Sequence, residues 1–453
     1  MNTEDGSLYV GRNKTLVRAI LRVRAWKRMR ARTTFLAAAL GLCASLGASA
    51  QSSRTPSDTS RAMTLTAGEA DDEPSRPRAW LKRPQWDLGF MTFHAGGGLL
   101  YDVIAYWQDS TSKEQFASLA PELKLRDARL LFGGRFKTKR SFTWQAGVMY
   151  DAANSKWLVR QTGLMVAVPE IDSHFFIGRA KEGFSLNKVM VGYDGWSMER
   201  MPFSDAAIPL LADGIKWLGY VPSRHWFWNL GMFTDVLSEG QSFSSYNYQF
   251  AARTGYSRMS SDSAGTLVHL GMNFRIGSVN NDTIQLRSKP EAFEAPYFID
   301  TGKIPASSAL TLGPELYYRA GRVLMGGEYY WERVNSPQAA DPWFHGGEVM
   351  ISWITTGETR PFNLAGSYFT EVEADSTVVQ GGPGAWAPLL KFSYTNLTNG
   401  PIDGGIFWRV TPMLNWYLTD NVRLEFAYGQ GILNKGGVKG ETKFFQSRLQ
   451  LRL

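Results

Sequence analysis

Cysteine is almost missing from this chain: among 453 residues there is one, Cys43. It falls in an N-terminal stretch that reads as a cleavable targeting segment, so the rest of the chain has no thiol chemistry and no disulfide framework. Long apolar runs are missing too. No stretch approaches the ~20 consecutive apolar residues that a spanning helix needs. A membrane protein without such helices has to close its backbone hydrogen bonds as a barrel. Histidine is scarce: His94, His174, His225, His269 and His345 are scattered, with no i,i+4 pair and no carboxylate at ligand spacing. No metal site and no cofactor are expected. An excess of one charge is nearly missing as well. Residues 1–50 hold nine of the 49 Lys/Arg and two of the 41 Asp/Glu, which leaves 40 basic against 39 acidic residues. That balance excludes an extended basic surface for nucleic acid.

The N-terminal stretch has the order of a secretory signal. Lys27, Arg28, Arg30 and Arg32 precede an apolar run over residues 35–46, followed by Ala48-Ser49-Ala50 and Gln51. A basic region, a short apolar core and an A-x-A cleavage site define such a signal. Residues 1–50 are assigned to it, with Met29 as a candidate initiator. Residues 51–85 are rich in Ser, Thr, Asp, Glu and Pro and poor in apolar side chains. They are expected to form a disordered periplasmic leader.

What is abundant is alternation. Val268, Leu270, Met272, Phe274 and Ile276 interleave with His269, Gly271, Asn273 and Arg275. Phe142, Trp144, Ala146, Val148 and Tyr150 oppose Thr143, Gln145, Gly147, Met149 and Asp151. The last strand sets Leu449, Leu451 and Leu453 against Arg448, Gln450 and Arg452. An apolar, aromatic outside and a polar inside is the pattern of a transmembrane antiparallel β-barrel around water. Parity alone places Gln145 and Asn273 in that water. Residues 86–453 show no break in composition and are assigned to one all-β domain. At ~10 residues per strand they accommodate roughly 14 to 18 strands. Short turns such as Phe136-Lys137-Thr138-Lys139, Ala320-Gly321-Arg322 and Thr419-Asp420-Asn421 are expected on one rim. Long stretches at 111–122, 239–248, 335–342 and 374–384 are expected on the other. Residues 183–217 break the alternation and are expected to fold inward and narrow the lumen.

Several short motifs, in order, resemble one family. Gly178-Arg179-Ala180-Lys181-Glu182-Gly183-Phe184-Ser185-Leu186 and Ser197-Met198-Glu199-Arg200 come first. Arg287-Ser288-Lys289-Pro290-Glu291, Phe298-Ile299-Asp300-Thr301-Gly302 and Thr356-Gly357-Glu358-Thr359-Arg360-Pro361-Phe362 follow. Gly384-Ala385-Trp386 and Asn415-Trp416-Tyr417-Leu418 complete the series. Together they resemble the phosphate-selective porin O and P family over residues 90–453. The resemblance implies a sixteen-stranded outer-membrane barrel that is commonly trimeric, sits among outer-membrane lipid and lipopolysaccharide, and passes phosphate-like anions. Ser197, Asn187, Lys391 and the terminal Leu453 depart from the family pattern.

A hydrated anion in a narrow lumen needs fixed positive charge along its route, in wells shallow enough to leave. The candidates are Lys181, Lys188 and Arg200 in the irregular loop and Arg275 and Arg287 on the wall, with Lys289, Arg319, Lys391, Arg409 and Arg423 at the same parity. Arginine forks fit oxyanions in pairs, whereas lysine is a mobile point charge. Many wall cations are expected to pair with Asp151, Glu315, Glu328, Glu348 and Glu425 instead. Within the loop, Glu199 is expected to pair with Arg200 while Lys181 or Lys188 faces the ion. No Ser/His/carboxylate set is apparent from the sequence, so no enzyme is expected. Trp226-Phe227-Trp228 reads as an interface girdle. The alternative is an aromatic slide, which would make this a general-diffusion or sugar-permeable pore.

Overall fold

The computed structural model describes residues 84–152, 155–236, 246–260 and 265–453. The expected signal segment and nearly all of the expected leader lie outside the described residues. Gln85, at the end of that leader, is already in the wall, paired with His94.

Sixteen antiparallel strands form one closed sheet. We number them β1 (Met91–Gln108), β2 (Glu122–Phe136), β3 (Phe142–Asp151), β4 (Lys156–Val159 continued by Thr162–Val168), β5 (Ser173–Ala180), β6 (Ala212–Val221), β7 (Trp226–Thr234) and β8 (Tyr246–Met259). The second half is β9 (Leu267–Val279), β10 (Ser308–Ala320), β11 (Val323–Asn335), β12 (Trp343–Trp353), β13 (Ala385–Asn399), β14 (Ile402–Tyr417), β15 (Val422–Lys435) and β16 (Val438–Arg452). Each strand pairs with its sequence neighbour, and β1 pairs with β16 from Gly98↔Arg452 to Gln108↔Thr442. That last ladder removes the sheet edges, so every strand's backbone groups are paired within the wall.

The alternation has the expected sense. On β9 Leu270, Met272, Phe274 and Ile276 are 39–50% exposed, while His269, Asn273 and Arg275 are 0% exposed. With no partner in the interior, the apolar set can only face lipid. Exposed tryptophans mark both ends of that band: Trp86, Trp226 and Trp353 on one rim, Trp107, Trp157 and Trp343 on the other. Trp226 therefore belongs to a girdle, whereas Phe227 points inward and stacks on His269 at 5.1 Å. The two-residue hairpin between β15 and β16 uses Gly436 and Gly437 at φ 61° and 76°. Two consecutive positive φ values give the turn whose twist matches the strands.

The rims differ from the expected division in two respects. The connection over residues 354–384 leaves the rim that carries the short turns, so the 374–384 stretch is not on the long-loop side. Conversely, two of the links on the long-loop rim, at 400–401 and 436–437, are only two residues long. Hydrophobic pattern reports which face a strand residue takes, not which rim a loop crosses.

Among the described residues, three segments fold into the barrel: residues 181–211, 280–307 and 354–384. Phe184, Met201, Phe203 and Ile208 of the first pack with Ile284, Leu286, Phe298 and Ile304 of the second, against Tyr330, Phe344, Phe407 and Phe444 of the wall. Leu186, Met190, Trp196 and Met198 meet Phe362 and Phe369 of the third, together with Tyr317, Met350 and Met413. The half of the lumen lined by β9–β16 is thus filled by packed side chains of the wall and the loops. Burying such side chains contributes ~1.5–3 kcal/mol each. Asn273 faces inward yet is sealed, because its Oδ1 accepts from the Ser185 amide at 2.8 Å.

Candidate functional site

Open space remains against the other half of the wall. A cavity lies between β1–β7 and the inner loops, lined by Arg129, Arg160, Lys181, Lys216 and Arg452, with no Asp or Glu among its lining residues. Its loop side is formed by Val189, Val191 and Tyr193, and by Gly366 and Tyr368.

Two interruptions in the ladders shape this wall. Between β1 and β2 the register slips from Leu100↔Asp127 to Tyr101↔Leu125, which inserts Arg126 as an extra residue. In β4 the pairing with β3 moves from Val148↔Val159 to Gln145↔Gly163, which inserts one residue near Arg160 and Gln161. A bulge re-aims side chains that strict alternation would send outward. Arg126 and Asp127, although adjacent, therefore both face inward, as do Arg160 and Gln161. The glycine run at 96–98 serves a close approach: a Cβ on Gly98 would lie 2.4 Å from the Tyr193 ring. Glycine there lets Tyr193 lie flat on the wall beside Arg129.

The lining cations are not equivalent. Arg452 is neutralised by Asp194 at 3.0 Å and Glu371 at 2.7 Å. Arg129 donates through Nε to Asp127 at 2.8 Å and lies 4.2 Å over the Tyr193 ring, but its Nη1 is buried without a hydrogen-bond partner. Arg160 and Lys216 form no ion pair among the described residues, and Lys216 rests 5.2 Å over the Phe176 ring. The Lys181 ammonium donates only to the carbonyl of Met190. Burial, reinforced by Arg200, Arg160, Arg129 and Lys188, pushes its proton affinity well below the ordinary lysine range. Unpaired positive charge held out of bulk water is what an anion contact requires.

Of the five candidates read from the sequence, only Lys181 lines this cavity. Lys188 is buried and paired with Asp205 at 3.0 Å. Arg200 donates to the carbonyls of Asn187 at 3.0 Å and Met190 at 3.4 Å, tying its loop together. Arg275 is fully buried, paired with Glu182 at 2.7 Å and stacked 3.9 Å over Tyr246. Arg287 is not on the wall: it sits in the 280–307 segment, paired with Asp300 in a two-residue ladder, 4.3 Å over the Tyr297 ring. Lys289 of that segment, with Lys124 and Arg126 of β2, surrounds Phe293 at 4.1–5.9 Å. These four cations stand on the long-loop side of Arg129. Glu199 pairs not with Arg200 but with Arg126 at 2.8 Å and Arg448 at 2.7 Å, pinning the 181–211 loop to the wall. Burial raises the Glu199 carboxyl, but the two guanidinium groups outweigh it and hold it well below the usual carboxylate range.

The other wall cations are engaged by the core half. Lys391 lies 2.9 Å from Glu291 and 3.5 Å from Glu348. Arg423 pairs with Glu425 and Arg409 holds the carbonyl of Pro290. Carboxylates also anchor the loop: Glu315 accepts from the Leu186 amide at 2.8 Å and Glu328 from the Asn187 amide at 2.7 Å. One cluster escaped the sequence reading. Ser257 Oγ is 2.7 Å from His269 Nδ1, and His269 Nε2 is 2.8 Å from Glu315 Oε1. The members lie on three neighbouring strands, so no spacing in the sequence joins them. All are buried beneath residues 366 and 367, and Arg253 links Glu315 to the carbonyls of Gly366 and Ser367. The arrangement fastens the 354–384 loop to the wall and leaves no room for a substrate.

Comparison with known proteins agrees with this architecture. A relative described as an uncharacterized protein from Caulobacter vibrioides is 22% identical over 385 residues, covering 81% of this chain and 75% of its own length. OmpT, an outer membrane protein of Vibrio cholerae, has the same fold with a TM-score of 0.52 at 12% identity, over 82% of this chain and 99% of its own. An anion-selective porin from Comamonas acidovorans matches with a TM-score of 0.51 at 11% identity, over 80% of this chain and all of its own. At such identities the likeness shows the fold alone. The sequence model of the phosphate-selective porin O and P family matches residues 93–453. The closed sixteen-stranded wall, the loops packed inside it and that match across the whole barrel together establish that this chain belongs to the phosphate-selective porin O and P family of outer-membrane porins.

Proposed function

We propose that this porin passes small anions, phosphate and related oxyanions among them, by passive diffusion along the β1–β7 side of its lumen. Arg129, Arg160, Lys181 and Lys216 are the ion contacts. Arg287, Lys289, Lys124 and Arg126 collect anions on the long-loop side. The observation that carries this reading is the cavity itself, lined by no carboxylate and by five basic residues, two of which, Arg160 and Lys216, form no ion pair among the described residues. Clefts with one sign of charge and low-dielectric walls concentrate the opposite ion. The family's description as phosphate-selective and the anion-selective porin among its structural relatives support the same reading. The chain works in outer-membrane lipid and lipopolysaccharide as a homotrimer; the mass of the unheated protein on native gels tests that number.

Reversal potential in planar bilayers under a KCl gradient tests the function. Anion preference is expected, together with a fall in chloride current when millimolar phosphate is added. A cation preference overturns the reading. Block by oligosaccharides with no effect of phosphate would favour a sugar-permeable pore.

A further inference from the structure

We propose that the lipid-facing surface at the short-turn end of β7 and β8 binds the phosphate of an anionic phospholipid in the periplasmic leaflet, with Arg224 and Arg258 as its ligands. The inference rests on the outer-membrane setting and not on the anion path, so its failure leaves that path untouched. Short turns mark the periplasmic rim of such barrels. The β7–β8 ladder runs to Tyr256↔Trp226, and the Ser257 amide then donates to the His225 carbonyl at 2.8 Å. One residue further, the register sets Arg258 across from Arg224. Both share the outward parity of Trp226 and Tyr256, and both are exposed. Neither forms an ion pair among the described residues. The neighbouring turn holds Glu170 and Asp172, but Glu170 is paired with Arg140 at 2.8 Å and neither acid pairs with Arg224 or Arg258. On its other side Arg258 meets Val268 of β9.

Like charges directly opposite one another destabilise a strand pair. An anion between them turns that repulsion into two attractive contacts, and guanidinium forks fit phosphate oxygens in pairs. The surroundings say what carries the anion. Trp226 is 47% exposed, and the outward row continues through Leu270 at 45% and Tyr318 at 40% on the next two strands. Tryptophan and tyrosine rings gather where acyl chains give way to headgroups. Arginines beside such a belt lay their stems on hydrocarbon and hold their charge at headgroup level. A lipid fills both parts of this surface, the phosphate on the guanidinium pair and the chains on the apolar row. The frame is braced from within. Tyr220 Oη donates to the Ser257 carbonyl at 2.9 Å and lies 3.2 Å from His225 Nδ1, with His225 at φ 54°. The Trp226 indole donates to Thr254 Oγ1 at 2.8 Å.

The test is native mass spectrometry of the porin in neutral detergent, titrated with phosphatidylglycerol or with zwitterionic phosphatidylcholine. One tightly held phosphatidylglycerol per chain is expected, at about tenfold lower concentration than phosphatidylcholine, since each cation near a membrane surface contributes ~1 kcal/mol. The double variant Arg224→Gln with Arg258→Gln should lose that difference. Lys139→Gln, exposed on another turn of the same rim, should keep it. Arg258→Glu replaces the repelling pair by an attracting one, so it should fold at least as stably as wild type and still lose the lipid. The proposal is overturned if wild type retains both lipids alike, if the double variant keeps its phosphatidylglycerol, or if millimolar inorganic phosphate displaces it, which would mark a site for a free ion. It is equally overturned if the double variant falls apart into monomers with lipid retention unchanged, because the surface would then be a contact between copies.

Discussion

Arg160 offers the cleanest perturbation of ion passage. Its guanidinium lines the cavity, is 8% exposed and has no ion-pair partner among the described residues, so replacing it strands no carboxylate. A unit anion about 4 Å from it gains ~1 kcal/mol at the dielectric of water and ~4 kcal/mol at an effective dielectric of 20. The cavity opens to water, and Arg129 and Lys181 remain, so the lower part of that range applies. Arg160→Gln should remove about 1–2 kcal/mol of anion stabilisation, or about five- to thirtyfold in the anion-to-cation permeability ratio. The assay is reversal potential under a steep KCl gradient, with Lys137→Gln as control. Lys137 is 44% exposed in a short turn and paired with Asp87, so its loss should leave the potential unchanged. An Arg160→Gln channel indistinguishable from wild type, or a Lys137→Gln channel that shifts as far, would refute the assignment of the ion path.

Because burial and its cationic neighbours depress the Lys181 ammonium, protons return to it as pH falls; anion preference should rise on acidification, and Lys181→Gln should flatten that dependence in the same bilayer measurement. Arg275→Gln strands the fully buried Glu182 carboxylate, and losing one partner of a buried pair costs about 3–5 kcal/mol, so the folded, heat-modifiable form should be lost at lower temperature with selectivity little changed. Glu199→Gln removes the acid between Arg126 and Arg448; loop flicker in single-channel records and faster tryptic cleavage after Arg200 are expected. Since the Glu199 carboxyl is held below the ordinary range, that anchor is complete at neutral pH, persists in mild acid and fails only in strong acid. Single cysteines at Leu270 and Phe274 should resist water-soluble thiol reagents and one at Gln145 should react, whereas Asn273→Cys, inward but sealed by the Ser185 amide, should be protected; labelling of all four alike would contradict the barrel's parity.

The barrel was legible because lipid and lumen impose opposite demands on successive residues. Val268 to Ile276 records that demand without help from any other strand. The inward fold of residues 183–217 was legible for the converse reason, since a chain that packs among loops has no two-sided environment to imprint a period. The proposed ion contacts were not legible. Arg129, Arg275 and Arg423 share inward parity and each meets a carboxylate, and only the neighbouring strands and loops decide which also borders open space and which is sealed in the core. Bulges hid Arg126 and Arg160, because one inserted residue reverses the parity on which the sequence reading depends. Arg287 misled through a locally strand-like setting that belongs to an internal loop. Lys188 and Lys181 stand seven positions apart in one loop, yet Asp205 claims the first and leaves the second.

The off-centre cavity has a consequence for how such a pore changes over generations. Its two halves answer to different selection. Along β9–β16 an inward substitution disturbs packing shared with three loops and is tested first as a question of folding. Along β2–β6 the inward residues around Arg129, Arg160 and Lys216 border open space, where a new side chain costs the barrel little and, on the proposed ion path, alters what passes. A lineage can therefore exchange one solute for another by drift on a single arc of the wall, with its scaffold unaltered.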